Sequence, residues 1–81
     1  MWYVYVLRTV KDKQLFIDIT DDIDHSMAEH ATGLHDATAG KGQIICELYV
    51  GLATKKKAAG FAQYLKTKPG MKMLREKMLQ E

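Results

Sequence analysis

With 81 residues, 47% of them hydrophobic, and a formal net charge of +2, the chain has room for one domain spanning residues 1–81 and no second one, since independent domains run from about 50 to 250 residues. The single cysteine, Cys46, excludes an internal disulfide framework and a multi-cysteine zinc site, so a reducing, cytoplasmic setting is expected. No apolar run approaches the roughly 20 residues a membrane-spanning helix needs, and the aromatic N-terminus lacks the leading basic region of a signal peptide, so no membrane role is expected.

Charge is laid out unevenly. Up to Thr54, four basic residues stand against eight acidic ones, whereas from Lys55 onward eight basic residues stand against Glu76 and Glu81. Such a bipolar chain carries either a solvated, lysine-rich helical surface or a site for a polyanionic partner in its C-terminal part.

Residues Trp2 to Leu7 are aromatic and aliphatic with valine at alternate positions, the composition of a largely buried strand. Lys11, Asp12 and Lys13 form a polar turn. Beyond it Leu15, Ile17 and Ile19 share one face while Phe16, Asp18 and Thr20 share the other, predicting a second strand antiparallel to the first. Thr20 or Asp21 is the expected N-cap of a helix whose first turn is acidic through Asp21, Asp22 and Asp24, favourable at the positive end of the helix dipole. Ile23, Met27, Ala31 and Leu34 supply its apolar stripe, and Gly33 ends it. A flexible loop follows from Gly33 to Gly42.

Ile44 to Val50 returns to β-branched composition and predicts a third strand, with Cys46, Leu48 and Val50 facing opposite to Ile45 and Tyr49. Thr54 then caps a second helix that buries Ala58, Phe61, Ala62 and Leu65 and leaves its lysines in water. Gly60 inside it costs about 1 kcal/mol relative to alanine, which points to close packing or to drift. Pro69 suits the first turn of a short third helix in which Met71, Leu74 and Met78 are the apolar positions. The expected fold is therefore α+β, a three-stranded antiparallel sheet flanked by helices in the order β-β-α-β-α-α.

The segments WYVYVL, LFIDIT and DDIDHSMAEHATG, at these spacings, resemble the small stand-alone bacterial members of the GIY-YIG nuclease superfamily. GLATKKKAAGFAQYLK and PGMKMLREK resemble the family's C-terminal motifs, so the similarity runs from Trp2 to about Lys77. The resemblance implies a GIY-YIG-like fold and a set of site positions. Family members hold a divalent metal such as magnesium on one glutamate and place tyrosines, an arginine and often a histidine around the scissile phosphate. The metal stabilises the leaving oxygen, the arginine neutralises charge on the phosphoryl group, and a tyrosine or histidine handles a proton.

Mapped onto this chain, only Tyr5 and His30 keep the family's residue. Phe16 stands where the second motif has its tyrosine and lacks the hydroxyl. Asp18 stands where that motif has glycine and adds a negative charge near the phosphate, adverse at short range. Ser26 takes the arginine position without a permanent planar cation, and Ala62 takes the position of the metal-binding glutamate without any ligand atom. No cofactor is expected on this mapping. Read without the family, Tyr5 is a packed strand residue and His30 a hydrogen-bonded structural histidine.

Other constellations are weak. His25, His30 and His35 are spaced by five, a rotation of about 140° per step on a helix, so neighbours do not share a face for chelation. Asp21, Asp22 and Asp24 lack the glycine and terminal glutamate of a calcium loop. Cys46 reads as a small buried hydrophobe, and Gly40-Lys41-Gly42 is too short for a nucleotide-triphosphate loop. Three functions stay open, in this order: a non-catalytic protein-interaction or self-association module; sequence-independent nucleic-acid binding through Lys55, Lys56, Lys57, Lys66, Lys68, Lys72 and Arg75; and residual metal-dependent endonuclease activity with rearranged ligands such as Asp18, Asp22 or Glu47.

Overall fold

Hydrophobic alternation over the first twenty residues yields two strands, and a computed structural model, which describes residues 1–31 and 42–79, shows where the remaining elements pack on them. In chain order these are β1 (Trp2–Thr9), β2 (Leu15–Thr20), α1 (Ile23–Ala31), β3 (Ile44–Leu52), α2 (Lys55–Leu65) and α3 (Lys68–Met73). A π-helical turn over Leu74–Met78 continues α3, closed by a Leu79 N–H donating to the Leu74 carbonyl at 2.9 Å. The three strands form one antiparallel sheet in the order β2-β1-β3, so the chain is α+β with the expected layout. The expectations for Gly33, Leu34, His35 and Lys41 lie outside the described residues, as does most of the Gly33–Gly42 loop.

Thr9 organises the hairpin between β1 and β2. It is fully buried; its Oγ1 accepts from the Gln14 N–H at 2.9 Å and donates to the Asp12 carboxylate. Lys13 closes the turn in the left-handed region, at φ 57°, a conformation that costs a non-glycine residue roughly 1–2 kcal/mol.

The register sets Val4 and Val6 of β1 between Ile19 and Ile17 of β2 and Val50 and Leu48 of β3. This face packs on the helical layer, where Val4, Val6, Ile17, Ala58, Ala62, Leu65 and Leu74 form one buried cluster. Ala58, Ala62 and Leu65 follow the predicted stripe of α2, and the Thr54 side chain caps that helix by accepting from the Lys57 N–H at 3.1 Å. Thr67 caps α3 in the same way, accepting from Gly70 N–H at 3.1 Å, with Pro69 in the first turn. At Gly70 a Cβ atom would stand 1.8 Å from the Tyr64 carbonyl oxygen. Only glycine allows the two helices to meet this closely.

Three local expectations are corrected. First, neither Thr20 nor Asp21 caps α1. Asp22 does, its Oδ1 accepting from the His25 N–H at 3.1 Å, while Thr20 Oγ1 accepts from the Asp22 N–H at 3.0 Å and so shapes the turn before it. Second, the face of α1 that is buried carries Ser26 and His30, not the apolar stripe; Ile23 and Met27 are half-buried and Ala31 is exposed. Polar side chains can occupy that face because each finds a buried hydrogen-bond partner on the sheet. Third, Cys46 is exposed. The pairing of β1 with β3 shifts between Val6–Leu48 and Leu7–Cys46, leaving Glu47 as an extra residue. A bulge of this kind turns over the side chains on its far side, so Cys46 leaves the face shared by Leu48 and Val50, and Ile45, paired with Arg8, leaves the face of Tyr49.

Candidate functional site

The sheet face opposite the helical core is built from Tyr3, Tyr5 and Leu7 of β1, which pair with Thr20, Asp18 and Phe16 of β2. Period-two alternation sends these side chains away from Val4 and Val6. Helix α1 lies over this face. Five of the six positions singled out from the sequence, Tyr5, Phe16, Asp18, Ser26 and His30, are therefore gathered on one side of the sheet.

Tyr5 and His30, twenty-five residues apart, meet there with the phenol oxygen 3.0 Å from His30 Nε2 and the rings edge to face at 5.6 Å between centroids. Both are buried, at 2% and 5% exposure. Burial pushes the Tyr5 phenol well above its ordinary range, and the nearby charges of Asp18, Glu29 and Cys46 act in the same direction. The phenol is thus held protonated rather than prepared to give its proton up, and the imidazole tautomer sets which of the two partners donates.

Ser26 is tied to the fold. Its Oγ donates to Thr20 Oγ1 at 2.7 Å, and Thr20 in turn donates to the Asp22 carbonyl at 3.1 Å. Asp18 is exposed, with Oδ1 accepting from the Ile19 N–H at 2.8 Å. His25 pairs with Glu29 one turn on, at 3.3 Å. Glu47, at the bulge, pairs with Arg8 at 2.6 Å, and Asp22 is the helix cap. The carboxylates proposed as rearranged metal ligands, Asp18, Asp22 and Glu47, are engaged separately, and among the described residues no three His, Cys, Asp or Glu side chains converge as a metal-binding group.

Ala62 is the sixth position, and the structure does not bring it to this face. It is 5% exposed and packs with Val4, Val6 and Ile17 on the other side of the sheet. A divalent ion of the kind the resemblance implies has no donor there, and the residues around Ala62 are aliphatic. The donor set present does not fit that ion.

The basic positions make a second, separate surface. Lys55, Lys56, Lys57, Lys66, Lys68, Lys72 and Arg75 are all exposed, on α2, α3 and the turns joining and following them. Lys55 Nζ lies 5.1 Å from the centre of the Trp2 ring, a cation–π contact that anchors the start of α2 to the start of β1. Neither α2 nor α3 has an acidic residue in its first turn, so these helix starts add their own positive ends to the lysine field.

Two exposed aromatic residues stand outside the positions expected to form a site. Tyr49 is exposed beside Tyr3, with ring centroids 6.0 Å apart. Tyr64 is 44% exposed on α2. For Tyr64 a signal existed, since it stands seven residues after Lys57 and so on the same side of the helix, outside the predicted buried stripe. For Tyr49 strand alternation indicated the face opposite Leu48 and Val50, whereas its neighbour Tyr3 is supplied by the register of β3 on β1.

No helix among the described residues is long and apolar enough to cross a membrane. Comparison with family models, with curated proteins and with solved structures finds no match.

Proposed function

We propose that this chain is a GIY-YIG-like domain without phosphodiester cleavage, and that it binds nucleic acid through the backbone-directed basic surface of α2 and α3. The observation that carries the reading is the collection of exposed cations on one helical layer, where eight basic residues between Lys55 and Lys77 stand against Glu76. Among the described residues none of the six lysines named above takes part in an ion pair with a carboxylate. Apart from Lys55, which lies over the Trp2 ring, their charge is left for an external polyanion, and counterion release from that polyanion supplies the affinity. The loss of cleavage rests on Phe16, Ser26 and Ala62, which lack the phenol, guanidinium and carboxylate of the family's reaction, and on the Tyr5 phenol being occupied with His30.

An anisotropy titration of labelled DNA at 50 and 200 mM salt tests the binding. With four phosphate contacts the affinity falls about 100-fold over that range; absence of binding at the lower salt refutes the reading. Incubating supercoiled and linear DNA with magnesium or manganese tests the second half, and cleavage that Asp18→Ala abolishes would overturn it.

Self-association is the second reading, favoured by β3. It is an edge strand of nine residues whose only charged side chain, Glu47, is paired with Arg8, and it leaves Ile45 and Tyr49 exposed. Long edges without protruding charges are prone to pair with another chain. Light scattering over a concentration series distinguishes a monomer from this dimer. Of the apolar side chains exposed elsewhere, Met1 lies against β3 at Gly51 and Val10 lines one cleft with Ile45, whereas Tyr64 stands apart on α2.

A further inference from the structure

We infer that the basic surface selects single-stranded over double-stranded nucleic acid, with Tyr64 as a stacking platform for a base and Lys57 as the adjacent phosphate contact. This rests on the nucleic-acid reading above and specifies its ligand. Lys57, Gly60 and Tyr64 follow one another at helical spacings of three and four, which places them in a row along one side of α2, about 10 Å long. That row lies off the buried stripe of Ala58, Ala62 and Leu65.

The middle of the row is bare. Gly60 is exposed, and a Cβ added there would meet nothing within 4 Å, so its lack of a side chain has no packing reason. It leaves open backbone between a cation and an aromatic ring. A base stacking on Tyr64 has room to extend over Gly60 while the neighbouring phosphate reaches Lys57. Aromatic stacking on unpaired bases combined with a cationic track along the backbone is the physical basis of single-strand binding. A duplex keeps its bases stacked on one another and offers this ring nothing beyond sugar and phosphate.

The ring has a firm base. The Tyr64 carbonyl accepts from Thr67 N–H at 3.0 Å and from Thr67 Oγ1 at 2.6 Å. The close approach of Gly70 to the same carbonyl oxygen locks the corner between α2 and α3. Lys66 and Lys68 flank this corner, so the platform sits within the basic surface rather than at its margin.

The test is anisotropy with a labelled oligothymidylate and a mixed-sequence duplex, using the full chain and its Tyr64→Ala, Tyr64→Phe and Lys57→Ala variants, each checked for a native thermal transition. The native chain binds the single strand more tightly. Tyr64→Ala lowers single-strand affinity about tenfold, leaves duplex affinity unchanged, and keeps the slope of log affinity against log salt; Tyr64→Phe retains native binding. Lys57→Ala reduces that slope by about 0.7 for the single strand. Equal binding of both probes, or Tyr64→Ala binding like the native chain, overturns the single-strand inference and leaves the nucleic-acid reading standing. Failure of the native chain to bind either probe at low salt overturns both.

Discussion

Replacing Tyr5 with phenylalanine removes one oxygen from a buried pair and keeps the ring, so its effect isolates the hydrogen bond to His30. The phenol lies 3.0 Å from Nε2 in a site closed to water. Losing such a bond costs about 1 kcal/mol, and leaving the buried partner without it raises the total to about 1–3 kcal/mol. That is a large share of the stability of a domain this size, which by the usual per-residue range is about 4–12 kcal/mol. Urea denaturation at pH 7 is expected to show the loss as a lower midpoint with an unchanged slope.

The pH dependence gives the sharper check. The folded-state pKa of Tyr5 is raised, so the native state keeps a proton that the unfolded chain releases near pH 10. The contribution of Tyr5 is therefore fully present below about pH 10, and above it declines by up to about 1.4 kcal/mol per pH unit until the folded phenol titrates. Other tyrosines and lysines titrate in both proteins, so the quantity to follow is the stability difference between native chain and variant. That difference should narrow as pH rises from 9 to 11. A constant difference across this range would refute the assignment, as would a Tyr5→Phe, His30→Ala double-mutant cycle with no coupling between the two residues.

Five further variants have expected outcomes. Gly60→Ala should raise stability by about 1 kcal/mol, since the helix gains propensity and the new methyl meets nothing, whereas Gly70→Ala, forced against the Tyr64 carbonyl, should lower it by at least about 1–3 kcal/mol; thermal melts of the pair must move in opposite directions. Asp22→Ala should lower stability by about 1 kcal/mol through loss of the α1 cap, measurable by urea denaturation, while Asp21→Ala should change it little. Ala62→Glu, which introduces the glutamate that the GIY-YIG resemblance implies at this position, should destabilise by several kcal/mol because a carboxyl is placed without a partner among Val4, Ile17 and Leu65. Retained stability together with manganese binding in calorimetry of that variant would show that the position can still reach the site face.

Local signals carried much of this molecule. Alternation in β1 and β2 placed Val4, Val6, Ile17 and Ile19 on the core face, and the period of α2 placed Ala58, Ala62 and Leu65 there as well, because side-chain direction in a strand or helix follows from the backbone period alone. Thr54 was legible as a cap for the same reason, since capping needs only a side-chain oxygen beside free amides. What lay beyond local reach had to be decided between segments. The choice of Asp22 over its neighbours as the α1 cap depends on where Thr20 leaves the sheet. The exposure of Cys46 depends on one extra residue, Glu47, in the register of β3 against β1. Tyr5 and His30 could each be singled out by type and position, yet their hydrogen bond, and the separation of both from Ala62 by the thickness of the sheet, exist only once α1 and α2 have docked on opposite faces. Period and capping are properties of a few consecutive residues, whereas register, docking and burial are free-energy minima of the whole chain.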